Sequence, residues 1–120
     1  TDVMQTNVFP NSIFTYQPEM LWLIRPRPHP TDPNRCYLDK LSFERSPSET
    51  AGERPLHDSF TYQDVIEGRK SMTDTIDQDL SLLAQAQQGM QSAGFDRLWL
   101  NEIECRIAHF HERLDTLMGT

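Results

Sequence analysis

The chain has 120 residues, 18 of them acidic and 11 basic, with a formal net charge of −7 and a hydrophobic content of 37%. That is enough for one small domain, with a core thin for a structure folding independently. The acidic balance argues against nucleic acid or an anionic membrane as partner, since both select a basic patch, and the longest apolar run, "MLWLI", is strand-sized rather than bilayer-sized.

The sequence opens at Thr1 inside what reads as a strand, without a signal-peptide pattern, so it is expected to be a piece of a longer protein. "NVFPNSIFTYQ" reads as one strand with an interruption at Pro10, where a bulge, bend or exposed edge is expected. Pro18 marks a turn. "MLWLI" is apolar at successive positions and predicts a strand covered on both faces. "RPRPHPTDPN" holds four prolines in ten residues and predicts loop or extended edge. "RCYLDKLSFER" predicts a third strand with Tyr37, Leu41 and Phe43 on one face, and the short connections predict antiparallel pairing. Residues 46–60 are polar and rich in turn formers, and the region up to 72 reads as loop. Two amphipathic helices are predicted next, from about 75 to 92 with Gly94 closing it, and from Asn101 onward with Glu104 as capping partner. The second carries a stripe of Ile103, Ile107, Phe110, Leu114 and Leu117. Between them "FDRLWL" is short and apolar, and is expected to fold against the core. The fold class is therefore α+β, with about three antiparallel strands followed by two helices. Open sheet edges and the double-faced "MLWLI" suggest part of a larger domain.

The start of the first helix, "DTIDQDLSLLAQAQQGM", carries three aspartates. Thr75 followed by Gln78 is a capping-box pattern. On a helical projection Ile76, Leu80, Leu83 and Met90 share one side. Asp77 falls at the edge of that stripe, where an acid stabilises the positive end of the helix dipole. Asp79 falls between Ile76 and Leu83, inside the apolar arc. A carboxylate there needs a partner, a proton or a metal, because burying it bare is costly. From the pattern alone a structural role and a metal or catalytic role both stand.

Other chemistry is sparse. His109 and His111 lie about 160° apart on a helix and cannot share a metal. His111 sits at the edge of the apolar stripe, and His29 and His57 lie in the proline-rich and polar loops. No HExxH pair, Gly-rich phosphate loop or nucleophile motif occurs, so no catalytic side chain is assigned. Trp22, Phe14 and Tyr16 read as core or pocket lining. Cys36 and Cys105 show no metal or disulfide spacing, which suggests the cytoplasm.

The run "NVFPNSIFTYQPEMLWLIRPRPHPTDPNRCYLDKLSFERSP", then "IDQDLSLLAQAQQGMQSAGF", then "NEIECRIAHFHERLDTLMG" resembles one family over nearly the whole chain, in the family's order. It is similar to the C-terminal part of the catalytic domain of the Rieske non-haem iron ring-hydroxylating oxygenase α subunit. The resemblance implies a helix-grip fold, in which a curved antiparallel sheet wraps a C-terminal helix. It implies a mononuclear Fe(II) held by two histidines and one aspartate, a facial triad with open positions for O₂. Matched residue by residue, the aspartate is Asp79. The strand carrying "FPN" passes the iron pocket in the family, which makes Asn11, Ile13 and Phe14 candidate substrate-pocket residues.

By the same resemblance the two iron-binding histidines, and a Rieske domain with its [2Fe–2S] cluster, lie upstream of Thr1 and are not in this chain. The implied enzyme hydroxylates an aromatic or other small organic substrate with O₂, takes electrons from an NAD(P)H-dependent reductase or ferredoxin, and is a homo-oligomer. The isolated chain, with one ligand of three, is expected to be inactive. The rival expectation is a non-enzymatic helix-grip module, a truncated relative or small-ligand binder lacking the iron site. No nucleic-acid or membrane partner is implied.

Overall fold

The computed structural model describes residues 2–45 and 56–119. Most of the stretch expected to be a polar loop, residues 46–55, lies outside them. The chain divides into two compact units, Thr1–Gly52 with Leu100–Thr120, and Glu53–Trp99.

The first unit contains a four-stranded antiparallel sheet in the order β1 (Met4–Val8), β2 (Ser12–Gln17), β3 (Met20–Pro28), β4 (Cys36–Glu44). The count is four rather than three because the expected first strand is a hairpin. Val8 pairs with Ser12 and Met4 with Tyr16, so the chain reverses at Phe9-Pro10-Asn11. Proline brings no amide donor to a ladder and presets a turn φ, and asparagine favours the same turn. Asn11 Nδ2 then donates to the Pro26 carbonyl at 3.1 Å and ties the hairpin tip to β3.

The proline-rich stretch divides at residue 28. Arg25–Pro28 extend β3, paired with β4 from Arg25↔Asp39 to Pro28↔Cys36. On the other side β2 stops pairing at Ile13↔Ile24. Pro26 and Pro28 therefore stand where β3 has become an edge, the one place in a sheet where a missing N–H is tolerated. Residues 29–35 form the connection. His29 N donates to Arg35 O at 3.1 Å, Asp32 N donates to His29 Nδ1 at 3.2 Å, and Asn34 N donates to Asp32 Oδ1 at 2.9 Å.

Strand pleating sorts the side chains onto two faces. One carries Phe14 and Tyr16 of β2, Leu21 and Leu23 of β3, and Leu41 and Phe43 of β4. It is largely open, with Phe43 50% and Leu41 39% exposed. The opposite face carries Ile13, the buried Thr15, Trp22 and Ile24, with Lys40 Nζ 4.4 Å above the Trp22 ring. "MLWLI" is thus half-buried rather than covered on both sides.

Helix α3 (Cys105–Met118) closes this unit, preceded by a 3-10 turn at Glu102–Glu104. Its start is the expected capping pair. Asn101 Oδ1 accepts from Ile103 N at 3.0 Å, and Glu104 Oε2 accepts from Asn101 N at 2.9 Å. Its end is Gly119 at φ +75°, whose N–H donates to Asp115 O at 2.9 Å. That left-handed position is why the last cap is glycine.

The second unit holds α1 (Tyr62–Ile66) and α2 (Asp74–Met90), with Val65 and Ile76 as their buried residues. α1 lies within the region read as loop. It starts on a capping box in which Asp64 Oδ2 accepts from Thr61 N at 2.8 Å and from Thr61 Oγ1 at 2.6 Å. Helix α2 begins one turn-half earlier than its capping pattern suggests. Its N-cap is Thr73, not Thr75, and Asp77 N donates to Thr73 O at 2.9 Å. Thr73 Oγ1 is buried and bonded to none of the described residues. The helix ends at Met90 with Gln91 as C-cap, so Gly94 lies beyond it. "FDRLWL" does not fold inward: it has no regular structure, and Leu98 is 55% and Trp99 82% exposed. Its local contacts are Arg97 with Asp96 at 2.7 Å and the Arg97 guanidinium 5.2 Å from the Trp99 ring, which do not bury the apolar side chains. No helix among the described residues is long and apolar enough to cross a membrane.

Candidate functional site

The three acids of α2 separate by what holds them. Asp77 is half-buried and accepts from Ser71 Oγ at 2.6 Å and from Met72 N at 2.9 Å. Besides standing at the positive end of the helix, it fastens the preceding loop onto the first turn. Asp74 and Asp79 are both exposed, and no hydrogen bond or ion pair engages either among the described residues; of the two, Asp79 is the one on the apolar arc. The apolar arc on which it falls buries Ile76 alone, while Leu83 is 55% exposed. The expected burial of Asp79 is therefore not seen in this chain, because the helix face around it is uncovered beyond its first turn.

An exposed, uncommitted carboxylate on a helix is a hard oxygen donor suited to one position of a divalent-iron site. It is one donor only. Among the described residues no three His, Cys, Asp or Glu side chains converge on a point. His29 has Nδ1 committed to the connection between β3 and β4, and its ring stacks on Tyr37 at 5.6 Å. His109 Nδ1 lies 3.9 Å from Glu112, and His111 meets Phe110 edge-on.

A cleft of about 1080 Å³ lies in the first unit between the β1–β2 hairpin and α3. Its strand side presents the amides Gln5, Asn7 and Asn11 with Ile13. Its helix side presents Ile107, Phe110 and Leu117, with Arg106 and Arg113 two turns apart. The Phe9 ring lies 5.4 Å from that of Phe110 at one wall. Asn11 and Ile13, expected to line a pocket, both line this cleft. Phe14 does not: alternation sends it to the open sheet face, where it stacks on Tyr16 at 6.3 Å. Phe110 was expected as part of the apolar stripe of this helix, not as pocket lining, and the arginines of the cleft were not singled out in the sequence. Their i, i+4, i+7 spacing from residue 106 was the available signal.

Elsewhere the charges are structural. Asp39 accepts from Arg27 Nε at 2.7 Å and Nη2 at 2.9 Å, and from Arg25 Nη2 at 2.9 Å and Nε at 3.1 Å. Those bonds, Arg27's first, hold its carboxyl down at about 2. Asp64 is held well below the usual range by the Thr61 hydroxyl and N–H, then by Arg69. Asp58 is lowered by its bond from Lys70. Cys36 and Cys105 are exposed free thiols.

Neither the curated proteins nor the solved structures contain a match to this chain. Residues 1–120 match the family described as "Ring hydroxylating alpha subunit (catalytic domain)". The match spans the sheet, both units and the closing helix, and with it the chain belongs to the catalytic domain of ring-hydroxylating α subunits.

Proposed function

We propose that this chain is the C-terminal segment of the catalytic domain of a Rieske-type oxygenase and that Asp79 is its contribution to a mononuclear Fe(II) site. The observation that carries the reading is the contrast between Asp77, committed to the loop at residues 71–72, and Asp79, unengaged and on the helix's apolar arc, where the equally exposed Asp74 does not fall. A ligand must be free to bind; a structural acid already has partners.

In this reading Asp79 supplies an anionic oxygen donor from a rigid helix, and two histidines outside this sequence supply neutral imidazoles. Fe(II) bound there supplies the activation of O₂ that hydroxylates an aromatic or other small organic substrate. The Asp79 carboxylate balances part of the metal's charge and fixes one coordination position. Asn11 and Ile13 line the substrate cleft in this proposal, while Phe14 contributes to the sheet's opposite face. Electrons reach the site from an NAD(P)H-dependent reductase or ferredoxin through an upstream [2Fe–2S] domain, in a cytoplasmic homo-oligomer.

The test is oxygen consumption coupled to product formation in the whole α subunit. Asp79→Ala is expected to abolish both while the Rieske absorbance is retained. Hydroxylation at the wild-type rate in that variant overturns the assignment and favours a role for Asp79 in solvation alone.

A further inference from the structure

The cleft between the hairpin and α3 has a composition that selects its ligand. Arg106 and Arg113 both line it, and neither has an ion pair among the described residues. Arg25, Arg27, Arg69, Lys70 and Arg97 are each paired with a carboxylate, and Arg35 and Arg45, which are not paired among the described residues, lie outside the cleft. In a chain of net charge −7 with 18 acids, two such guanidiniums in one cleft give it a local positive charge.

Seven residues of helix separate them by about 10 Å along the axis and return to nearly the same face. Phe110 lies between them, in contact with Phe9 across the cleft wall. A guanidinium binds a carboxylate through two parallel N–H donors. The paired rings and Ile107 offer an apolar surface beside it, and the cleft volume of about 1080 Å³ admits more than one fused ring.

We propose that this cleft binds an aromatic carboxylate, with the ring against Phe9 and Phe110 and the carboxylate on Arg106 or Arg113. This rests on the reading of the cleft as the substrate site and names the substrate class. Neutral aromatic compounds leave both guanidiniums without an anion and bind more weakly. The amides Gln5 and Asn7, across the cleft, donate to polar ring substituents.

The experiment is equilibrium titration of the whole α subunit with 2-naphthoate and with its neutral counterpart 2-naphthylmethanol, anaerobically and without reductant. No turnover is involved, so the result is independent of whether Asp79 binds iron. Naphthoate is expected to bind at least about tenfold more tightly than the alcohol, the worth of one charge-assisted pair. Arg106→Gln with Arg113→Gln is expected to erase the difference, and the double lysine variant to restore part of it. The lysine variant also separates loss of charge from loss of folding. Equal affinity for the two compounds overturns the proposal, as does a preference that survives the double glutamine variant. Displacement of naphthoate by inorganic phosphate as effectively as by benzoate also overturns it, since the apolar wall then contributes nothing.

Discussion

Replacing Asp39 with asparagine keeps the side chain's shape and removes the charge that Arg25 and Arg27 share. Four N–H donors of the two guanidiniums reach this one carboxylate, at 2.7 to 3.1 Å. Its carboxyl is held at about 2 against an ordinary 3.8, chiefly by Arg27 and then Arg25. Taken in full, that depression is worth roughly 2.4 kcal/mol at about 1.36 kcal/mol per pH unit. The arginine side chains are 44% and 47% exposed, so solvent screening reduces it to about 1 kcal/mol. The sign follows from the depression. The stabilisation is fully present above the unfolded value of 3.8 and is lost as pH falls toward 2. Urea unfolding followed by Trp22 fluorescence reads it, because Trp22 is half-buried in β3, the strand that carries both arginines; Trp99→Phe removes the other indole, which is 82% exposed. At pH 7 the Asp39→Asn midpoint is expected about half a molar below wild type, and the gap is expected to shrink to about a fifth of that or less by pH 2. Equal midpoints at pH 7, or a gap undiminished at pH 2, would refute the reasoning.

Asn101→Ala removes the acceptor for Ile103 N and is expected to cost about 1 kcal/mol, read as a loss of helical circular dichroism at elevated temperature. Gly119→Ala is not a substitute control, since its φ of +75° strains any side chain there and is expected to cost about 1 kcal/mol by the same assay. The open sheet face carrying Leu41 and Phe43 is expected to make the 120-residue chain self-associate, and Phe43→Glu is expected to shift its sedimentation toward monomer; a wild-type chain that is monomeric at all concentrations contradicts this.

Legibility followed the range of the interactions. The strands, the antiparallel order, α3 and its Asn101–Glu104 cap were readable because periodicity and capping are local. "FPN" was read as an interruption rather than a reversal, although proline followed by asparagine is itself turn chemistry. The Thr61–Asp64 box that starts α1 went unread because aspartate, not the usual glutamate, closes it. Thr73 displaced Thr75 as N-cap once Asp77 bonded back to residues 71 and 72, a choice among neighbouring threonines that the pattern alone did not decide. Asp79's place on the helix was legible, but its exposure was not, because projection assigns a face without saying what covers it. The cleft arginines carried a spacing signal but no role for the same reason: the face of α3 they share gains meaning only when the hairpin stands opposite.

The central claim is that Asp79, and not Asp77, is a ligand to iron. It is tested most directly by the mononuclear iron content of the whole α subunit, measured after reconstitution with Fe(II) and corrected for the iron of the [2Fe–2S] cluster. Asp79→Ala is expected to lose that iron. Asp77→Ala is expected to keep it, while losing about 1 kcal/mol of stability with the bonds from Ser71 and Met72. Full iron occupancy in Asp79→Ala would contradict the account, and so would iron lost from Asp77→Ala but kept by Asp79→Ala.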